Sequence, residues 1–349
     1  MDEKGMNVEV TYLSPYMKEV MEKLEKDRKR PAVHTYNATL NSYRDFWGSS
    51  GGVGTLNGVG SGTVNGRKAG TPGGGNAEIP VTEVFTPGRL KEYETWLRGK
   101  DAKWNTVSTY MRTLKAVYHR LVGEKLLEYD AKLFADVYTK VESQTKRALT
   151  EGQMNTLFHT DFSELPEDVQ CTLAYFLLMF LFRGMPFIDL IYLRKQDVEE
   201  NCITYCRHKT GRKIMVCIPQ RAMALFEQYR NKETNSGYLF PILGDGVKTE
   251  KEAYARYRKA LRDFNRNLVK MAALLLPGVK ISSYTARHTW ATLAFHQGML
   301  IGIISKALGH SSIKVTETYL KPFENERIDR ANDELIEAVS TCGEKKKAA

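Results

Sequence analysis

The sequence has no apolar run long enough to cross a bilayer. Its strongest, Leu173 to Phe182, stops after ten residues at Arg183 and reads as a buried helix. The opening MDEKGMNVEV carries no apolar core of signal-peptide type, so a cytoplasmic protein without a membrane partner is expected. Cysteine is scarce. The five, Cys171, Cys202, Cys206, Cys217 and Cys342, are odd in number and include no CxxC pair, so reduced thiols are expected rather than a disulfide framework. Cys202, Cys206 and His208 lie near one another, but in a strand-like stretch without clear spacing to a fourth ligand, and no metal site is assigned. No glycine stands in GxxxxGK[ST] spacing, which removes a P-loop and with it ATP use. No cofactor is expected.

What is present is length and positive charge. At 349 residues the chain exceeds the roughly 250–300 at which one core stops growing, which points to two folded units. A formal charge of +10 favours a polyanionic partner, most often nucleic acid, although a solvated basic surface carries the same signature.

Amphipathic helical patterns open the chain. Ser14-Pro15 reads as an N-cap and first helical residue, followed by the stripe Met17, Val20, Met21, Leu24; a second stripe runs Tyr36, Leu40, Tyr43, Trp47. Gly48 to Gly75 then holds twelve of the 27 glycines and almost no large side chain, so an unstructured insertion is expected over 48–79. Helical pattern resumes at Thr86-Pro87 and continues in a longer helix from about Asn105, whose other side carries Arg112, Lys115, His119 and Arg120. Thr150-x-x-Gln153 is a capping-box signature that restarts the pattern. Two strand patterns near 202–207 and 213–218 flank Lys209-Thr210-Gly211-Arg212 and predict a β-hairpin; the remainder reads as helix.

Three motifs in the second half combine. Ser283-Tyr284-Thr285-Ala286-Arg287-His288-Thr289-Trp290-Ala291-Thr292 comes first, then Leu308-Gly309-His310-Ser311-Ser312, then Tyr319-Leu320, with Tyr319 nine residues after His310. In order and spacing they resemble the tyrosine recombinase, or phage integrase, family. The resemblance covers roughly 145–325, and the helices before it resemble the family's core-binding domain more loosely. It implies a mostly α fold with a small β-sheet: a tyrosine-recombinase-like catalytic domain plus an N-terminal four-helix, SAM-like core-binding domain. On this reading 1–9 is a tail, 10–130 the core-binding domain, 131–147 a linker, 148–325 the catalytic domain, and 326–349 a C-terminal helix and basic tail.

The chemistry suits these residue types. Direct attack on a phosphodiester needs an oxygen nucleophile, charge stabilisation on the non-bridging oxygens, and a proton for the leaving 5′ hydroxyl. A phenol can attack and later leave, so a phosphotyrosyl intermediate conserves the bond without ATP. Guanidinium forks match phosphate oxygens and stay charged. Lysine can protonate a departing alkoxide, and the scheme needs no metal.

The resemblance implies Tyr319 as nucleophile, Arg287 as the second phosphate-clamping arginine, His310 as a hydrogen-bonding partner of the phosphate, and Lys209 as general acid in the hairpin turn. Two positions depart. Tyr284 stands where the family has histidine, and Pro186 stands where it has its first arginine, with Arg183 three residues earlier. Three residues is nearly one helical turn, so Arg183 is expected to reach the same pocket, although an arginine ending an apolar helix also serves as a dipole partner. The displaced pattern resembles the branch found in Bacteroides-type mobile elements. The implied partners are double-stranded DNA, three further copies in a homotetramer on two DNA sites, and a host DNA-bending protein. Type IB topoisomerase-like relaxation and a DNA-binding accessory protein that lost catalysis are the other functions compatible with these residues.

Overall fold

The computed structural model describes residues 10–27, 29–49, 78–142, 147–244, 246–323 and 325–344. It divides into two compact units, Met1–Gln144 and Thr145–Ala349. The first is all helical: α1 (Leu13–Lys26), α2 (Arg30–Ser49), the single turn α3 (Val81–Val84), α4 (Pro87–Gly99) and α5 (Trp104–Gly123). Each long helix buries one stripe. In α1 it is Leu13, Tyr16, Met17, Val20 and Leu24, and in α5 Val107, Met111, Leu114, Val117 and Leu121. Tyr43, Phe46 and Tyr93 meet at the centre with ring centroids 4.9–5.5 Å apart. Thr86 caps α4 by accepting from the Arg89 amide, and Pro87 follows at the first helical position.

Three sequence expectations shift at their edges. Helix α1 begins at Leu13, before the expected Ser14 cap, because the Leu13 amide donates to Ile79 O and Tyr12 pairs with Pro80, which fixes the entry of the chain. The glycine-rich insertion is narrower than 48–79. Gly48 and Ser49 complete α2, and Ile79 is buried in the core; residues 50–77 lie outside the described residues. The stretch expected as linker from 131 is packed: Leu133, Phe134 and Val137 are buried in the same core, and the Asn105 side chain bonds both the amide and the carbonyl of Glu142. Its three apolar residues have no helical period long enough to register as an element.

The second unit comprises α6 (Glu151–Phe158), α7 (Glu167–Leu181), α8 (Phe187–Tyr192), β1 (Val198–Glu199), β2 (Cys202–Cys206), β3 (Lys213–Cys217), α9 (Gln220–Tyr229), α10 (Glu250–Leu275), α11 (Thr285–His296), α12 (Ile301–Ala307), α13 (Ile313–Glu317) and α14 (Asn325–Glu344). The apolar run forms α7, which packs against α9, α10 and α11 and has a dominantly buried surface. The three strands form one antiparallel sheet in order, with Ile203 opposite Val216 and Tyr205 opposite Ile214 facing the core. Cys202 and Cys217 stand directly opposite each other and form a disulfide, which corrects the expectation of reduced thiols at these two positions. Strand pairing brings together sulfurs that are 15 residues apart in the chain. Helix α14 leaves Ile328, Leu335, Ile336 and Val339 exposed. No helix among the described residues is long and apolar enough to cross a membrane.

Candidate active site

The site forms where the end of α7, the β2–β3 hairpin, α11 and the α12–α13 turn meet. After α7 the chain reverses through Arg183 and Gly184, both at positive φ (58° and 68°). The reversal lets the Gly184 carbonyl accept from Arg287 Nη1 at 2.8 Å. A Cβ on Gly184 would lie 3.0 Å from the Arg287 Cα, so glycine is required both for the backbone conformation and for the approach.

Arg287, on α11, is 2% exposed. Its Nη2 donates to Leu308 O at 2.6 Å and meets His310 Nε2 at 3.0 Å, while its Nε is buried without a partner. Burial pulls its pKa below the usual guanidinium range, and the nearby charge of Arg207 adds to this. The neighbouring motif residues have separate tasks. His288 and Thr292, one turn apart, both lie against Tyr319 O at 3.3 and 3.4 Å; Thr289 Oγ1 accepts from the Leu149 amide; Ala291 packs with Ile304 and Leu308.

The Leu308-Gly309-His310 turn is held by arginines. Arg207 Nη1 donates to Leu308 O at 3.1 Å and to Gly309 O at 3.3 Å, and Arg212 Nη1 donates to His310 O. Gly309 has φ of 64°, which favours glycine, and a Cβ there would stand 2.6 Å from Ile214 Cδ1, so a larger residue would be strained and would push the Ile214 side chain aside. His310 Nδ1 is 3.0 Å from Thr316 Oγ1. Arg287 can only donate, so Nε2 accepts and the imidazole proton sits on Nδ1, donated to Thr316. Burial, then Arg287, Arg207, Lys209 and Arg212, push the His310 pKa down to about 3, so the ring is neutral at physiological pH.

Tyr319 sits between two imidazoles: its ring centroid is 4.8 Å from that of His288 and 4.9 Å from that of His310, with the Arg287 guanidinium carbon 5.5 Å away. Lys209 is exposed in the hairpin turn, and its charge acts on His310. Gly211 closes that turn at φ 66°, with its amide donating to Arg207 O. Tyr284, at the N-terminus of α11, is 47% exposed, with its ring 6.3 Å from His288.

Five of the six candidate residues, Tyr319, Arg287, His310, Lys209 and Tyr284, are therefore gathered here. Arg183 is not. Its left-handed backbone turns the side chain outward, where Nη1 reaches Met215 O at 3.4 Å. The buried residues that sequence reasoning missed are Arg207 (6% exposed) and Asp189 (3%), paired at 3.5 Å, with Thr316 behind His310. An aspartate inside Phe187-Ile188-Asp189-Leu190-Ile191 was the available signal, since a charge within an apolar helix calls for a buried partner. Among the described residues no group of side chains is arranged to hold a metal ion.

Residues 147–326, more than half of the chain, match the model of the phage integrase family, and residues 12–134 match the phage integrase SAM-like domain. Tyrosine recombinase XerA of Pyrococcus furiosus is 25% identical over 242 residues, covering 68% of this chain and 77% of the relative. XerD of Rickettsia conorii is 23% identical over 254 residues, covering 67% and 78%. The fold is similar to that of a lambda integrase dimer bound to a COC′ core site (TM-score 0.58, 14% identity, 89% of this chain and 78% of that one). It is also similar to that of the Tn1549 transposon integrase in complex with a circular intermediate DNA (TM-score 0.52, 17% identity, 74% and 87%). With a helical first unit, a second unit built around Arg287, His310 and Tyr319, and family matches across both, the chain belongs to the phage integrase family of tyrosine recombinases, enzymes that cleave and rejoin DNA.

Proposed function

We propose that this chain is a site-specific recombinase of mobile DNA whose Tyr319 attacks the scissile phosphate and forms a 3′-phosphotyrosyl intermediate. The observation that carries this reading is the placement of the Tyr319 ring between His288 and His310 and beside the Arg287 guanidinium. The phenolic oxygen releases its proton to solvent and forms the bond to phosphorus as the bond to the 5′ oxygen breaks, and Lys209 supplies the proton that the 5′ oxygen takes up, to be reprotonated from solvent. Arg287 bonds the non-bridging oxygens, where negative charge builds. Thr316 Oγ1 can donate as well as accept, so once Arg287 turns to the phosphate the His310 proton can sit on Nε2 and be donated there. Tyr284 offers a hydroxyl donor at the rim. Rejoining reverses these steps with a 5′ hydroxyl from the partner duplex, passing through a Holliday junction.

Such exchange takes four protomers on two double-stranded sites. The apolar residues that α14 leaves exposed, Ile328, Leu335, Ile336 and Val339, suit packing on a neighbouring copy. The solved relatives include a lambda integrase tetramer bound to a Holliday junction, similar to this chain at a TM-score of 0.53.

The test uses sheared duplex DNA from the genome that encodes the chain. After incubation and denaturation in SDS, covalent adducts are expected, with the DNA attached to the peptide that contains Tyr319. Tyr319→Phe is expected to bind DNA with unchanged affinity and to form none. Adducts of normal yield from Tyr319→Phe, or none from the unaltered chain, overturn the reading. Sequencing the trapped fragments identifies the core site.

A further inference from the structure

We infer that Arg207, on the hairpin two residues before Lys209, is the second guanidinium that clamps the scissile phosphate; this rests on the recombinase reading above. Three observations carry it.

The first is a vacancy. Helix α8 starts after Pro186, which offers no donor, and Arg183 on the preceding turn points away to Met215 O. A phosphodiester held by Arg287 alone would lack a second cation for the charge that builds on its non-bridging oxygens in the transition state.

The second is the buried charge that remains. Asp189, one turn after Pro186, is 3% exposed, and its Oδ1 accepts from the His208 amide at 2.8 Å. Its Oδ2 faces Arg207 Nε at 3.5 Å, so the helix that lacks an arginine holds one from the hairpin instead. Burial raises the Asp189 pKa, while the His208 amide and then Arg207 oppose this.

The third is a shared acceptor. Arg207 Nη1 and Arg287 Nη2 both donate to Leu308 O, at 3.1 and 2.6 Å. Two guanidinium groups converging on one oxygen is the arrangement that holds a phosphate oxygen, and in this structure a carbonyl oxygen takes that place. Asp189 is the one buried carboxylate beside two buried arginines, with Lys209 and Arg212 also near, so among the described residues the cluster holds excess positive charge. The single negative charge of an arriving phosphodiester offsets part of that excess, and the Arg207 fork can shift from carbonyl to phosphate without leaving Asp189.

The same three contacts would also make Arg207 a support for the Leu308–His310 turn, so the experiment must separate charge from support. A core-site duplex is made with a methylphosphonate at the scissile position, which removes the negative charge that a clamp neutralises and leaves the rest of the DNA unchanged. Arg207→Met keeps an unbranched stem against Gly309 and Ile214. Because it strands the Asp189 carboxylate, the pair Arg207→Met with Asp189→Asn is tested beside it.

On the phosphate substrate both variants are expected to form adduct about 10²–10³-fold more slowly than the unaltered chain. On the methylphosphonate the double variant is expected to return to within about tenfold of the unaltered chain on that substrate, one such factor being about 1.4 kcal/mol. Arg183→Ala is expected to match the unaltered chain on both. Near-normal cleavage of phosphate by Arg207→Met, an equal loss on both substrates, or loss and rescue in Arg183→Ala each overturns the inference while leaving the recombinase reading in place. Absence of adduct from the unaltered chain overturns both.

Discussion

The first unit buries Thr39, Glu94, Ser108 and Thr113 singly among apolar side chains, whereas the second crowds Arg207, Arg287, Asp189 and His310 together with Thr285, Thr289, Thr292 and Thr316. In the first, Glu94 accepts from Lys91 Nζ at 2.6 Å and from the Tyr138 amide at 2.5 Å, and both threonines bond a carbonyl four residues back. Glu94, Thr39 and Thr113 are thus satisfied within the fold, and Ser108, whose hydroxyl is buried without a partner, is uncharged. In the second, the buried Asp189 carboxylate pairs with Arg207, while Arg287 has only carbonyls and His310 as hydrogen-bond partners and keeps a buried Nε unpaired. A buried charge without its own partner costs free energy, and charges of one sign gathered together cost more. The comparison therefore separates a core arranged for stability from one that keeps a cationic site ready for an anion.

The largest effect expected from breaking this contrast is Arg287→Met. It should slow adduct formation by about 10²–10³-fold, since a donor to the transition-state charge is gone. Yet the thermal midpoint should stay equal or rise, because a buried, under-paired cation is replaced by an apolar side chain of similar length. A lower midpoint in differential scanning calorimetry would show Arg287 to be structural as well.

Leu114→Ala in the first unit is the converse. It should cost about 2–5 kcal/mol in urea unfolding of that unit, from lost burial and the cavity left behind. The chemical step should be unaltered once the protein is folded and bound to DNA. A loss below about 1 kcal/mol would mean that the core relaxes around the truncation.

The smallest concerns His310, whose pKa is lowered to about 3 by burial and its cationic neighbours. In the unfolded chain a histidine titrates near 6.5, so between about pH 6.5 and 3 the unfolded state binds a proton that the folded state refuses. Stability is therefore lost as pH falls through this window, by up to about 1.4 kcal/mol per pH unit from this group. His310→Gln should lose less stability than the unaltered chain between about pH 7 and pH 5, measured by urea midpoints. Equal slopes would show that His310 protonates freely in the folded state.

The sequence by itself determined most of the helices and named five residues that the structure brings together. The stripes of α1 and α5 repeat at the helical period; Thr86-Pro87 and Thr150-x-x-Gln153 mark helix starts; and the hairpin flanks a glycine that must turn at positive φ. These are local rules, satisfied within a few residues, and so are readable along the chain. Arg287, His310 and Tyr319 could be named because the compact motifs that hold them resemble those of the tyrosine recombinase family in order and spacing. What only the tertiary structure decided depends on contacts between distant segments. Leu133, Phe134 and Val137 join the first core by packing with residues distant in the chain, Phe134 against Tyr118 among them, not through any period of their own. Cys202 meets Cys217 because two strands pair in one register. Most of all, the fate of the two arginines was decided outside their own neighbourhoods. Arg183 is three residues from the expected position in sequence but has a left-handed backbone that turns it to Met215, whereas Arg207 belongs to another element and is drawn in by Asp189 across 18 residues. Backbone conformation and the demand of a buried carboxylate for a cation set which guanidinium enters the site, and neither can be read from spacing alone.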